Sequence, residues 1–194
     1  MKKGCILLAA GAGVRFGGNK LKAKFTDKTV IEYILASLPL GRFSRCVIIA
    51  ADSQMLSLAE GYGVSGMIND NPGLGIARSI RMGLETLGPA QACMFCVSDQ
   101  PFLTRQTISA MLAAFEPGTI LSLACSGKRG NPVIFPSKLF GELMRLQPGE
   151  SGKTVIERHP DLLRLYEISD PMELMDIDTK EQLARMEKRI SKDQ

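Results

Sequence analysis

The sequence contains no tryptophan and only one histidine, and its phenylalanine and tyrosine residues amount to 6% of the chain. These absences weigh against a nucleic-acid-binding module, which typically pairs aromatic side chains with a basic helix or an RNA-binding motif. No apolar run approaches the roughly 20 residues that a transmembrane helix needs. The apolar segment near the N-terminus is interrupted by Gly11 and no signal-peptide cleavage site follows it. We therefore expect a cytoplasmic protein with neither a nucleic-acid nor a membrane partner.

Catalysis or metal binding by histidine and cysteine is also poorly supported. His159 stands beside Pro160 in a charged stretch that predicts a surface residue, and no Ser-His-Asp or Cys-His arrangement accompanies it. Cys93 and Cys96 lie three apart in a strand-like run, so they should point to opposite faces and not chelate one ion. We expect buried free thiols at all five cysteines, Cys5, Cys46, Cys93, Cys96 and Cys125.

What the chain does contain favours one globular domain over residues 1–194 with an anionic ligand. Apolar residues make up 45% of the sequence and charged residues 23%, which is enough for a packed core. Residues 1–45 hold nine Lys and Arg against two acids, a local charge of +7, whereas the remainder holds fifteen against eighteen, or −3. A basic segment of this kind favours a polyphosphate small molecule over nucleic acid as the partner.

A glycine-rich loop follows the first apolar run, residues 5–10. Gly11, Gly13, Gly17 and Gly18 are interspersed with two cations, Arg15 and Lys20. Glycines permit close backbone approach to an anion, free N–H groups can surround it, and the cations neutralise phosphate charge. The spacing matches neither the dinucleotide fingerprint nor the P-loop. The segment is therefore interpreted as a triphosphate-binding loop, with a glycine-rich turn bearing surface cations as the alternative.

Strand-like and helix-like patterns alternate along the chain, which predicts an α/β domain with a mostly parallel sheet. In such sheets ligands bind at the carboxyl ends of the strands, so the loop at 11–20 and Asp99 should share one edge. The stretch from Asn131 to Arg158 interrupts the alternation and is expected to cover the acceptor side of the cleft. The predicted strands are 5–10, 45–51, 64–69, 92–98, 118–125, 131–135 and 163–168, and the predicted helices are 29–38, 53–61, 76–87, 104–115, 137–146, 153–158 and 179–190.

Two acidic positions are candidate Mg²⁺ ligands. Asp99 ends an apolar strand, where a carboxylate can hold a magnesium ion that also contacts substrate phosphates. A turn or helix-cap aspartate is the alternative. Asp176 and Asp178 alternate, so both could approach one ion, but Glu181 gives Asp178 a capping-box spacing and a cap is again the alternative.

The segment Gly149 to Thr154 ends in Gly-Lys-Thr but is not a P-loop. The required first glycine would stand at Gln147, and a helix rather than a strand precedes the segment. Lys153 remains a candidate contact for an anionic acceptor.

The motifs together resemble those of the MobA-like nucleotidyltransferases. The signature loop is similar over residues 8–17 and 19–21. Four further segments are similar in the same order: 75–84, 98–102, 130–135 and 176–179. The resemblance covers nearly the whole chain and implies a three-layer, Rossmann-like nucleotidyltransferase fold.

Within that family the sequence resembles the branch that acts as molybdenum cofactor cytidylyltransferase. The hint is Ala9-Ala10-Gly11, since the guanylyl branch usually has Ala-Gly-Gly. The resemblance implies transfer of CMP from CTP to the terminal phosphate of molybdopterin with release of pyrophosphate, and a molybdoenzyme apoprotein or its chaperone as recipient of the product. GTP as donor, a sugar or alcohol phosphate as acceptor, and a non-catalytic nucleotide-binding module remain as alternatives.

The resemblance also implies residue roles. Arg15, Lys20 and Asp99 would be catalytic, Asp99 and Asp178 would bind Mg²⁺, and Asn131 would line the acceptor pocket with Lys153 beside it. Glu150, Lys153 and Thr154 depart from the family's usual Gly-Asp-x-Gly-Ala-Arg, which leaves the acceptor less certain than the nucleotide. Asp27 and Thr29 replace a common Gly and Pro. The implied nucleotide-binding residues are Leu8, Ala9, Ala10, Gly11, Gly13, Arg15, Lys20, Gly75, Ser79 and Asp99.

Overall fold

The structure, a computed structural model, describes residues 1–11 and 20–190, with side chains as far as Arg185. The strands are β1 (Lys3–Ala9), β2 (Lys24–Phe25), β3 (Lys28–Thr29), β4 (Arg45–Ala50), β5 (Ser65–Ile68), β6 (Ala92–Val97), β7 (Ile120–Cys125), β8 (Lys128–Pro136) and β9 (Leu163–Ile168). Seven of them form one sheet in the order β5-β4-β1-β6-β8-β7-β9, and β2 and β3 form a separate hairpin.

Helices cover both faces of the sheet, which confirms the expected three-layer α/β fold. The helices are α1 (Val30–Ser37), α2 (Ser53–Gly61), α3 (Ile76–Leu87), α4 (Arg105–Ala114), α5 (Phe140–Met144), α6 (Gly152–Arg158) and α7 (Lys180–Ile190). One face of the sheet packs against α1, α2 and α4, and the other packs against α3, α5 and α6. The central strand β1 is buried on both sides, with Leu7 in the first core and Ile6 in the second.

Only β8 runs antiparallel to its neighbours in this sheet, pairing with β6 on one side and β7 on the other. Phe95 of β6 pairs with Val133, so the beginning of β8 lies at the edge where the parallel strands end. The sequence predicted this strand only from residue 131. Lys128, Arg129 and Gly130 were omitted because they extend past the apolar core and carry no strand pattern, although they continue the hairpin with β7.

One other local prediction is corrected, and one element was missed. The helix predicted over 137–146 is a 3-10 turn, Ser137–Leu139, followed by the short helix α5. The β2–β3 hairpin was not predicted, because strands of two residues show no periodicity. Its anchor is Phe25, which is fully buried and makes edge-on contacts with the rings of Tyr33 and Phe102.

The cysteines lie on both sides of the sheet. Cys93 and Cys96 belong to opposite cores, as their spacing predicted, and burial raises the pKa of the Cys93 thiol. All five thiols are free, but Cys46 and Cys125 are only partly buried. No helix within residues 1–11 and 20–190 is long and apolar enough to cross a membrane.

Candidate active site

A cleft of about 350 Å³ opens where β1 and β6 end. Leu8 and Val97 are paired neighbours at the ends of these strands, and the Ser98 hydroxyl donates a hydrogen bond of 2.9 Å to the Leu8 carbonyl. Asp99 follows directly and therefore reaches the cleft. Seven of the implied nucleotide-binding residues line it: Leu8, Ala10, Gly11, Lys20, Gly75, Ser79 and Asp99.

The remaining three implied residues do not line this cleft within the described part of the chain. Ala9 is fully buried in the first core, behind the cleft. Gly13 and Arg15 lie outside the described residues, so their roles stay predictions from the sequence.

The start of α3 forms one wall of the cleft. Gly75 adopts φ 76°, a left-handed conformation that glycine accepts without steric cost and that turns the chain into the helix. The lining residues of this wall, Pro72, Gly75, Ile76 and Ser79, carry no charge. An uncharged part of a ligand is therefore best accommodated here.

A buried amide holds Ser79 in place. Asn69 follows β5 and is only 1% exposed. Its Oδ1 accepts hydrogen bonds from the Asn71 N–H at 3.0 Å and the Arg78 Nε–H at 2.9 Å, and its Nδ2 donates to the Ser79 Oγ at 3.0 Å. Asn69 was not singled out from the sequence, where an asparagine before Asp-Asn-Pro-Gly is typical of a turn.

Lys20 lies between the two predicted metal ligands. Its Nζ donates to Asp99 Oδ2 at 2.8 Å and to Asp178 Oδ1 at 2.9 Å. The side chain of Lys20 is 13% exposed, that of Asp99 25% and that of Asp178 41%. Burial lowers the pKa of Lys20, but the hydrogen bonds and charges of Asp99 and Asp178 outweigh this and leave the pKa raised. The ammonium group is therefore held in its charged form between two carboxylates.

The acidic segment is fixed to the end of β6 through its backbone. The Ile177 N–H donates to the Asp99 carbonyl at 3.0 Å, and the Ile177 side chain is fully buried. Gln100 Nε2 donates to Asp176 Oδ1 at 2.9 Å. Desolvation raises the pKa of Asp176 and the negative charge of Asp99 raises it further, although its side chain keeps solvent contact. A third carboxylate thus adjoins the pair.

A buried glutamate connects this acidic segment to α4. Glu173 is 8% exposed and lies in a 3-10 turn before Asp176. Its carboxylate accepts from the Thr104 N–H at 2.9 Å, the Thr104 hydroxyl at 3.0 Å and the Thr107 hydroxyl at 2.8 Å. The acidic segment is thereby anchored to the beginning of α4, where a negative charge is favourable.

The capping alternative for Asp178 is wrong. The cap of α7 is Thr179, whose Oγ1 accepts from the Gln182 N–H at 3.1 Å, while Gln182 Oε1 accepts from the Thr179 N–H at 2.9 Å. This is a capping box shifted by one residue from the predicted Asp178 and Glu181 pair. The Asp178 carboxylate instead meets Lys20.

A second cavity of about 280 Å³ adjoins the cleft and shares its wall of Leu8, Ile76 and Val97. Both implied acceptor residues, Asn131 and Lys153, line it. Its polar margin also includes Arg129, which the sequence did not single out because it precedes the predicted strand. The floor is apolar and contains Phe95 and Phe135, whose rings meet edge-on with centroids 5.8 Å apart.

His159 takes no part in either cavity. Its Nε2 lies 2.8 Å from Glu142 Oε1, and its side chain is 29% exposed, so it is half-buried rather than a free surface residue.

The donor set at Lys20 suits a hard cation. Asp99 and Asp178 offer carboxylate oxygens, and Mg²⁺ uses one or two protein carboxylates together with substrate phosphates and water. No group of three or more His, Cys, Asp or Glu side chains within the described chain has the geometry of a metal site. The arrangement therefore suits a metal ion bound by two protein carboxylates and a substrate phosphate better than one bound by protein side chains alone.

Comparison with known proteins gives a family match over most of the chain. The model of the MobA-like NTP transferase domain matches residues 5–162. Nicotine blue oxidoreductase of Paenarthrobacter nicotinovorans is 28% identical, over 93% of this chain and 94% of the relative.

Solved structures agree on the fold. A nucleotidyl transferase from Methanothermobacter superposes with a TM-score of 0.82 at 20% identity, covering 100% of this chain and 99% of that one. The manganese complex of Rv0371c from Mycobacterium tuberculosis superposes with a TM-score of 0.71 at 21% identity, covering 97% and 99%.

Proposed function

Because this chain belongs to the MobA-like NTP transferase family, we propose that it is a cytoplasmic enzyme that transfers CMP from CTP to the terminal phosphate of molybdopterin. The observation that carries the proposal is the position of Lys20, held between Asp99 and Asp178 in the cleft that Gly11 also lines. The two carboxylates at this edge could hold the metal ion of a bound triphosphate, and the Lys20 ammonium, released from them, could neutralise its phosphates. A molybdoenzyme apoprotein or its chaperone would receive the product.

The reaction asks for positioning and charge neutralisation rather than covalent catalysis. An oxygen of the acceptor phosphate attacks the α-phosphorus, the new P–O bond forms, and the bond from the α-phosphorus to the bridging oxygen breaks. Pyrophosphate leaves with that bonding electron pair. No general base is required because the acceptor phosphate is already ionised. Lys20 would stabilise the departing pyrophosphate, together with Arg15 as predicted from the sequence.

Asp99 and Asp178 would hold the magnesium ion. When bound, the ion supplies charge neutralisation between phosphate oxygens. The manganese complex of a structural neighbour supports a divalent metal in this fold. Mg²⁺ is the proposed ion because its preference for carboxylate and phosphate oxygen matches the pair.

The acceptor would occupy the second cavity. The shared wall of the two cavities supports this, because an acceptor in the second would lie next to a nucleotide in the first, and Asn131 and Lys153 line the second cavity. The apolar floor with its two phenylalanine rings favours a flat aromatic acceptor over a sugar or alcohol phosphate, whose hydroxyl groups would lack partners there.

A nucleotide panel tests the proposal. Pyrophosphate release is measured with CTP, GTP, ATP and UTP, with and without Mg²⁺ and a molybdopterin acceptor. We expect release that requires Mg²⁺ and acceptor and is greatest with CTP. Asp99→Asn should reduce turnover by about 10²-fold or more, the cost of losing one preorganised charge.

Asp70→Asn is the matched control, since Asp70 is 79% exposed and lies outside the residues that line the cleft. It should leave turnover unchanged. Normal turnover in folded Asp99→Asn protein would remove Asp99 from the chemistry. Release of pyrophosphate would also exclude a non-catalytic module. Preference for GTP or for another acceptor would change only the proposed nucleotide or acceptor, and the nucleotidyltransferase activity would stand.

A second candidate function is oxidation or reduction of a small molecule, as the name of the relative, nicotine blue oxidoreductase, suggests. The apolar cavity beside the cleft favours it. Asp99, Asp178 and the adjoining Asp176 argue for a metal-bound triphosphate instead. Three carboxylates beside one lysine would repel an anionic ligand that brings no metal cation. Oxidation of a reduced nicotinamide nucleotide in the presence of an aromatic acceptor, without pyrophosphate release from any nucleotide, would favour the second function.

A further inference from the structure

Strand β8 presents a graded surface to the second cavity. Every second residue from Arg129 to Phe135 lines this cavity. The apolar members, Val133 and Phe135, are buried, whereas Asn131 is half-buried and Arg129 is exposed. An elongated molecule lying along the strand would therefore contact an apolar surface at one end and a guanidinium group at the other.

An irregularity in the pairing of β7 with β8 holds the polar end of this surface at the cavity. Ser122 pairs with Val133, but at Ala124, two residues further along β7, the partner has moved by four residues to Arg129. The Ser122 side chain lines the cavity, and its hydroxyl donates to the Gly130 carbonyl at 3.0 Å. This hydrogen bond fixes the bulged segment of β8 to the neighbouring strand.

The charge at this margin is positive and lacks an acidic partner at Arg129. Arg129 and Lys153 line the cavity, and no aspartate or glutamate among the described residues does so. Lys153 is 71% exposed and lies 3.6 Å from a carboxylate oxygen of Glu157. The Arg129 guanidinium forms no hydrogen bond or ion pair within the described part of the chain. Because guanidinium groups bind phosphate through two parallel hydrogen bonds, Arg129 is the better suited of the two cations to an anionic ligand.

We propose that Arg129 binds the phosphate group of the acceptor, and that the acceptor is an aromatic phosphate whose ring lies toward Phe135. The inference rests on the proposed function in that it takes the occupant of the second cavity to be the acceptor. The orientation suits the reaction, because the beginning of β8 lies at the edge where β1 and β6 end and where the nucleotide cleft opens. The acceptor phosphate would thus face the nucleotide and the ring would lie away from it.

The test compares two probes that differ only in the phosphate group. Naphthyl phosphate carries both the ring and the anion, whereas naphthol carries the ring without the phosphate. Fluorescence titrations would measure their dissociation constants for the wild type, Arg129→Gln and Lys128→Gln. Lys128 is the matched control, since it is the adjacent cation, is exposed and does not line the cavity. Both variants lose one positive charge, so a difference between them reports the position of that charge.

We expect Arg129→Gln to bind naphthyl phosphate about 10-fold more weakly than Lys128→Gln, the cost of losing a hydrogen bond between charged groups. The affinity for naphthol and the melting temperature should be unchanged. Arg129→Lys should bind naphthyl phosphate with an intermediate affinity, because it keeps the charge and loses the paired donors. Lys153→Gln should lose less than Arg129→Gln.

Equal affinity of Arg129→Gln and Lys128→Gln for naphthyl phosphate would overturn the proposal. So would a parallel loss of naphthol, which indicates a structural effect, or a loss in Lys20→Met in place of Arg129→Gln, which would put the phosphate in the cleft. The proposed function is tested separately. If Arg129→Gln selectively loses naphthyl phosphate but the wild type releases no pyrophosphate with any nucleotide and acceptor, the anion site stands and the proposed function is refuted. If pyrophosphate is released and Arg129→Gln leaves the KM for the acceptor unchanged, the function stands and the role of Arg129 is refuted.

Discussion

Lys20→Met should strengthen the binding of a divalent cation to the nucleotide-free protein while it severely reduces turnover. In the structure the Lys20 ammonium forms hydrogen bonds to both carboxylates that would hold the metal, at 2.8 and 2.9 Å. An ion and the ammonium cannot occupy this position together. Metal binding without nucleotide therefore requires these bonds to break, whereas a bound triphosphate offers Lys20 another anionic partner.

The size of the effect follows from those contacts. A hydrogen bond between charged groups contributes about 1.5–3 kcal/mol. The contact with Asp178 is discounted because that carboxylate is 41% exposed and screened by water. A net relief of about 1.5–3 kcal/mol gives roughly 10- to 100-fold tighter metal binding in the variant. Turnover should fall by about 10²-fold or more because the same ammonium is needed on the phosphates.

Mn²⁺ is a convenient probe, since its free form is measured directly by electron paramagnetic resonance. Titrations without nucleotide would compare the wild type, Lys20→Met and the control Lys22→Met, whose ammonium pairs with Asp52 outside the cleft. Adding Asp99→Asn to Lys20→Met should abolish the gain. The reasoning would be refuted if Lys20→Met bound Mn²⁺ no more tightly than the wild type while Asp99→Asn still weakened that binding.

Two further predictions concern the acidic segment. Because the pKa of Asp176 is raised, the native state binds more protons than the unfolded state at pH values just above the pKa of an ordinary aspartate. The free energy of unfolding therefore falls as the pH rises through this range. Asp176→Asn should therefore raise the melting temperature at pH 7, by an amount that shrinks as the pH falls and the carboxyl is protonated; a constant difference would contradict this. Glu173→Ala should destabilise the protein by about 3 kcal/mol in urea unfolding, because three donors at the start of α4 lose their charged acceptor. A stability within about 0.5 kcal/mol of the wild type, the usual range for neutral surface changes, would show that water replaces the carboxylate.

The sequence predicted the sheet well where strands are buried on both faces. β1, β4, β6 and β7 were found within two residues at each end, because a short continuous apolar run bounded by turns is typical of a buried strand. The beginning of β8 was missed because its residues cross from the core to the polar margin of a cavity. Strand direction also escaped prediction, since nothing in an apolar run distinguishes an antiparallel strand from a parallel one.

The site was predicted unevenly for a similar reason. Asp99 and Lys20 stand at strand ends or in a glycine loop, where position alone suggests chemistry. Their mutual contact depends on side-chain geometry and could not be inferred. Asn69 was overlooked because its role arises from three hydrogen bonds that converge only after α3 packs beside β5.

The contact between Lys20 and Asp178 joins residues 158 positions apart in the sequence. Closing a loop of that length costs conformational entropy that local structure cannot repay early, so contacts of this kind form late in folding. During refolding, the sheet should regain its spectroscopic signal before the cleft can hold Mn²⁺. Recovery of Mn²⁺ binding would thus report the last step of folding. A partly folded chain would not compete for metal or nucleotide.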